Sequence, residues 1–138
     1  MVVSVASHPH KFSAMARQML HWMDQTLGVR SSQGGPPGAW APSVNLYEDS
    51  AAYYAVADLA GVDPRAMELR VEKDVLVLVG QRKTPEPPNP KGSVCLHLME
   101  IDHGPFCRSI KLPRNVDLQG LQAVYRQGYL YIKLPKVS

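Results

Sequence analysis

The sequence predicts an all-β chain: an immunoglobulin-like β-sandwich preceded by a helical arm. Three observations carry this expectation. From Trp40 onward, short segments alternate apolar and polar residues, and Gly, Pro, Asn or Asp bound most of them. Roughly eight such segments follow at close spacing with no second helix, which is the pattern of two packed antiparallel sheets. Only the stretch from Phe12 to Leu27 has a helical period, with Phe12, Met15, Met19, Trp22, Met23 and Leu27 recurring at three- and four-residue steps.

Taken in chain order, the arm comes first. Ser13 is placed to cap its helix, and the Met-rich stripe is an adaptable apolar surface, suited to varied partners or to the chain's own domain. "SSQGGPPG", Ser31 to Gly38, is dense in Gly and Pro and reads as a flexible linker. The expected division is therefore an arm over residues 1–39 and a sandwich over 40–138.

Within the sandwich, "SVNLYE" alternates through Val44 and Leu46, and "AYYAVADL" runs from Ala52 to Leu59 before Gly61 and Pro64 turn the chain. "AMELRVE" sets Met67, Leu69 and Val71 against Glu68, Arg70 and Glu72. Lys73 and Asp74 then make a tight turn into "VLVLVGQR". Both faces of that segment are apolar, which predicts a central strand covered on both sides. Pro85, Pro87, Pro88 and Pro90 lack the N–H that a ladder needs, so "TPEPPNPKGS" is an exposed loop. "VCLHLMEI" (residues 94–101) and "FCRSIKLP" (106–113) alternate again, and "LQAVYRQGYLYIKLPKVS" closes the chain on a hairpin.

Composition narrows the function. The formal charge of +3 is spread thinly, with Lys11, Arg17 and Arg30 against Asp24 giving +2 in residues 1–40 and leaving +1 for the remainder. Without a Lys/Arg block there is no nucleic-acid footprint. The longest apolar runs, such as "VLVLV", are too short to span a bilayer. Residue 1 is not followed by a basic region and an apolar core of secretory type, so a reducing cytoplasm is expected. Two cysteines, Cys95 and Cys107, form no disulfide framework.

Catalytic and cofactor motifs are missing. The sequence contains no P-loop, no dinucleotide fingerprint, no H-E-x-x-H, no paired C-x-x-C and no G-x-S-x-G. Cys95 and His97, at i and i+2, would share one face of a strand, as a nucleophile and base or as two metal ligands, and no third ligand is supplied nearby. They read more simply as interface filler. The expectation is no enzyme activity, no metal and no cofactor. A chain built this way presents surfaces.

The closing hairpin supplies a more specific signal. Ala123 to Leu130 fits A-x-x-x-x-G-x-L, a signature of the small heat-shock protein (alpha-crystallin domain) family, and the chain resembles that family, in its bacterial form, over about residues 40–136. "WAPSVNLYED", "VADLAGVDPRAMELRVEKDVLVLVGQR" and "GPFCRSIKLPRNVD" resemble three further blocks of the family, in the same order. The sequence departs from the family pattern at Asn45, Ala60 and Tyr129, where Asp, Pro and Val are commoner. Where the family usually carries a tail with an I-x-I-type motif, only Val137 and Ser138 follow Lys136, so assembly through such a tail is not expected of this sequence.

The resemblance implies an ATP-independent holdase that grips partly unfolded proteins and stops their aggregation under stress. It implies a homodimer, with larger oligomers possible, made by exchanging a strand from the loop over residues 82–105. Val94, Leu96, Leu98, Glu100 and Arg108 would form that interface, with Glu100 and Arg108 pairing across it. Client grooves are expected at Leu69, Val71, Ala123 and Tyr125, which would otherwise fill the core, and along the arm's stripe. The rival readings are a monomeric sandwich-type adaptor for an ATP-dependent chaperone, a small thiol or metal enzyme using Cys95 and His97, and a structural sandwich with no client.

Overall fold

The computed structural model describes residues 2–3 and 37–137. The expected arm helix lies outside them. Among the described residues, eight strands form two antiparallel four-stranded sheets. One holds, in spatial order, β1 (Val2–Val3), β4 (Met67–Glu72), β5 (Val75–Arg82) and β6 (Gly104–Lys111). The other holds β2 (Val44–Glu48), β3 (Ala52–Asp58), β8 (Tyr129–Pro135) and β7 (Gln122–Arg126).

Alternation explains the layers. Met67, Leu69 and Val71 of β4, Leu76 and Leu78 of β5, and Phe106 of β6 turn inward from the first sheet. Ala55, Ala57, Leu130, Ile132, Leu134 and Ala123 meet them from the second. Leu59, Val62 and Leu112 close the ends of this core. β5 is central, as its doubly apolar pattern requires: Leu76 and Leu78 enter the main core, while Val77 and Val79 lie in a separate buried cluster with Cys107.

Turn chemistry fixes the registers. The β7–β8 hairpin turns at Gln127 and Gly128, both at positive φ (52° and 86°), the backbone that a two-residue hairpin of matching twist demands. The β4–β5 turn places Lys73 at φ 57°. Lys111 on β6 then pairs with the Asp74 carboxylate, exposed on the sheet's end.

Two elements depart from the expectation. Val2 and Val3 pair with Arg70 and Leu69, adding an edge strand that the sequence did not announce. Two β-branched residues are too few to display a period, and they are placed by the open edge of β4. Conversely, residues 94–101 form no strand. Their alternation describes a segment with two faces, but a strand exists only where it pairs with an edge, and among the described residues this segment pairs with none.

Gly80 reports on the packing between β4 and β5. A Cβ there would collide with the carbonyl oxygen of Ala66 and sit 2.6 Å from Phe106 Cζ and 2.9 Å from Met67 Cα. Gly80→Ala is expected to cost about 1–3 kcal/mol through overpacking, read as a lowered urea midpoint. A midpoint equal to that of the unaltered chain counts against this fit.

Candidate assembly and client interface

The rim where β2 and β6 lie is organised by the approach of the chain into β2. Trp40 lies parallel to β6: its N–H donates to Pro105 O at 3.1 Å, and its carbonyl accepts from Cys107 N at 2.9 Å. Its ring lies 5.2 Å from that of Phe106, and its Nε1 donates to Gly104 O. The guanidinium of Arg82 sits 4.2 Å over the indole, an arrangement worth about 0.5–2 kcal/mol. Arg82 also donates to Asp102 O, from Nε at 2.9 Å, and to Ala60 O at 3.2 Å.

Arg82 thus fastens both ends of the loop that leaves β5 and returns to β6. Sequence reasoning placed it in a motif and gave it no role. Its planar fork suits two carbonyls and an aromatic face at once.

Beyond that anchor, residues 85–101 stand exposed. Within them Leu96 is 63% and Leu98 74% exposed, and Val94, Met99 and Ile101 are also open. Glu100 is exposed. Arg108 is half-buried at the same rim, on the inward face of β6, and its Nη1 donates to Pro42 O at 3.1 Å. Among the described residues its buried Nε has no acceptor. Glu100 and Arg108 make no ion pair within the described residues of the chain. Cys95 is an exposed free thiol, and no group of three or more His, Cys, Asp or Glu among the described residues is arranged for a metal.

β2 is the open edge at this rim. Among the described residues it pairs with β3 alone, and Leu46 and Tyr47 are about half exposed. Its far end is held by charge. Lys136 Nζ reaches Glu48 at 2.7 Å and Asp49 O at 2.7 Å, over the Tyr53 ring. Asp49 accepts from the N–H groups of Ala51 and Ala52, both at 2.8 Å, and from the Tyr54 hydroxyl. These donors, the Ala51 N–H first, hold its carboxyl below the usual carboxylate range.

At the opposite rim are β4 and β7. Leu69, Val71 and Ala123 are buried in the main core, and Tyr125 is half-buried with its hydroxyl donating to Leu59 O at 2.8 Å. Val124 is exposed beside them on the outer face of β7. The free edge of β4 is taken by Val2 and Val3. The stripe residues Phe12, Met15, Met19, Trp22, Met23 and Leu27 lie outside the described residues.

The Hsp20/alpha crystallin family model matches residues 45–138. The chain belongs to this family. It is 31% identical over 96 residues to small heat shock protein C4 of Rickettsia felis, covering 70% of this chain and 57% of that protein. A probable 15 kDa heat shock protein of Leptospira interrogans is 32% identical over 96 residues, covering 70% of each. Among solved structures, a small heat-shock protein from Xylella fastidiosa superposes with a TM-score of 0.61 at 31% identity, over 72% of this chain and 88% of that one. The sandwich expected from the resemblance is the observed one. Only part of the Rickettsia protein's length is represented here.

The Asp49 turn sets the end of β2, and its stability depends on pH in a definite direction. A carboxyl with a lowered folded pKa contributes fully above the unfolded value of about 3.9, and the contribution is lost as pH falls through the lower folded value. In urea titrations the unaltered chain should exceed Asp49→Asn at neutral pH, with the gap closing as the carboxylate protonates. A gap that stays constant into acid would show that the carboxylate is not the acceptor.

Proposed function

We propose that the chain is an ATP-independent chaperone that assembles by exchanging residues 94–101 between subunits and holds partly unfolded proteins on apolar surfaces. Family membership supports a chaperone role. The observation that carries the finer reading is the exposed, alternating segment itself: Val94, Leu96 and Leu98 stand in solvent while, among the described residues, the outer edge of β2 has no neighbouring strand.

The physical reasoning follows from both features. An edge strand offers a row of backbone donors and acceptors, and an extended segment satisfies them by adding a strand. The Pro-rich stretch and the Arg82 anchor hold the segment off its own sheets, so a second subunit is the natural partner. There the half-buried charge of Arg108 would meet Glu100 of the partner subunit. The β4–β7 rim and the arm's stripe would hold clients, and β4 already accepts an added strand in Val2 and Val3. Each docked aliphatic side chain contributes about 1.5–3 kcal/mol before ordering costs. A few such contacts bind weakly, and repetition over an assembly raises avidity without new contacts. The exposed thiol of Cys95 suits a reducing compartment such as the cytoplasm.

Two measurements test the proposal together. Light scattering should give a dimer or larger species for the unaltered chain. The pair Leu96→Asp and Leu98→Asp should weaken association by at least about a hundredfold, the equivalent of removing two buried aliphatics. Without ATP, the unaltered chain should suppress the turbidity of a heat-denatured model protein, and Cys95→Ala with His97→Ala should protect equally well. A monomer in solution would favour the adaptor reading. Substrates that cloud just as fast in the presence of the chain would remove the holdase reading.

A further inference from the structure

On the outward side of the β4–β5–β6 sheet, the β5 and β6 residues are mostly apolar and shielded from water, and Glu68, Arg70 and Glu72 of β4 border them. Val77 is 3%, Val79 0% and Cys107 1% exposed, and they form a cluster separate from the core between the sheets. Ser109, paired across from Val77, is buried on the same face. The second sheet stacks against the opposite side, so it cannot be the cover. Among the described residues, the partly buried apolar groups packed on this cluster are Ala39 and Val75, and Val75 belongs to the same face of β5. One alanine does not shield two neighbouring strands.

The course of the chain points to the cover. Val3 pairs with Leu69 at the β4 side of this sheet, and Ala39 and Trp40 lie along β6 at its other side. The described positions on either side of residues 4–36 therefore stand at opposite edges of the face. The distance from β1 to β6 is about 14 Å at ~4.8 Å per strand. The helical pattern from Phe12 to Leu27 is about 24 Å long at 1.5 Å per residue, close to the length of β5 at ~3.4 Å per residue. It carries one apolar stripe, which needs an apolar surface to rest on.

We propose that the outer face formed by Val75, Val77, Val79 and Cys107 is a docking surface, and that its occupant is this chain's own arm, seated through Met15, Met19, Trp22 and Met23. The arm and the sheet then shield each other: the stripe is stored on the subunit that carries it, and the valine face is kept from water while the arm is seated. Flat β-branched rows leave shallow grooves, and unbranched Met side chains fill such gaps readily. This inference is independent of whether the chain protects clients.

Cys107 supplies the readout. Burial pushes its thiol up to about 11, whereas Cys95 is exposed. In a full chain carrying Cys95→Ser, Cys107 should resist maleimide labelling. Adding Met19→Asp, Trp22→Asp and Met23→Asp should speed labelling at least tenfold while the circular dichroism of the sandwich is kept. Unchanged labelling in that folded variant overturns the proposal. Faster labelling of the Cys95→Ser chain on dilution also overturns it, because the cover would then be a second copy.

A second measurement does not depend on how the triple variant folds. In the Cys95→Ser background, Met15→Cys, Met19→Cys and Met23→Cys are each oxidised mildly. At least one should give a monomer-sized, dithiothreitol-sensitive species cross-linked to Cys107. Dimer-sized products alone, or no cross-link from any of the three, overturn the assignment.

Discussion

The unpaired backbone at the margins of two open sheets is the constraint on which this molecule turns. Each edge strand carries a row of N–H and C=O groups that invites another strand. Four margins exist here, and they are treated differently. β4 is paired by Val2 and Val3, and β6 is lined by the Trp40 backbone. Among the described residues, β2 and β7 each have one neighbour within their sheet. Among the described residues, the chain thus lines part of β4 and of β6 in one sheet and leaves the margins of the other without a further neighbour. An assembly interface on this scaffold is most economically built on β2, because the exposed apolar segment and the open margin share one rim.

Much of this was legible before any coordinates. The strands from β2 to β8 coincide closely with runs whose polarity alternates, and the Lys73–Asp74 and Gln127–Gly128 turns lie where the pattern breaks. The centrality of β5 followed from two apolar faces in one short run. What period two cannot reveal is which face looks inward, or what covers the other. Leu69, Val71 and Ala123 alternate as groove or core residues would, and only the stacking of the sheets shows them buried between layers. Nor does alternation say whether a partner edge exists, which is why residues 94–101 read as a strand and stand alone. Val2 and Val3 were invisible for the opposite reason: two residues have no period, and the edge they pair with is distant in sequence.

Arg82 illustrates how site residues escape such a reading. Its work is done by the coincidence of Trp40, Ala60 and Asp102 around one guanidinium, groups drawn from three separate parts of the chain. No local spacing signals that meeting. Because the contact closes the base of the loop, it limits the directions in which residues 85–101 project. A projecting segment held at its root loses less freedom on docking than a free tail would, and ordering entropy is a main cost of association. In the proposed exchange, Arg82 would therefore act on assembly through the geometry of the loop.

The same reasoning bears on how much apolar surface one subunit can carry. A single sandwich buries one layer between its sheets, yet this chain has three further apolar components: the loop segment 94–101, the Val77–Val79–Cys107 face and the arm's stripe. Leaving all three in water would make the free subunit prone to indiscriminate association. Matching the stripe to the valine face removes two of them within the subunit, and exchanging the loop segment removes the third between subunits. On the proposed reading, what remains for clients would be set by how readily these pairings open. Each would consist of a few aliphatic contacts of about 1.5–3 kcal/mol apiece, offset by the entropy of ordering the arm or loop. Pairings of that net size would exchange with solvent-exposed states, and a segment of an unfolding protein would compete for the same surfaces with the same kind of side chain.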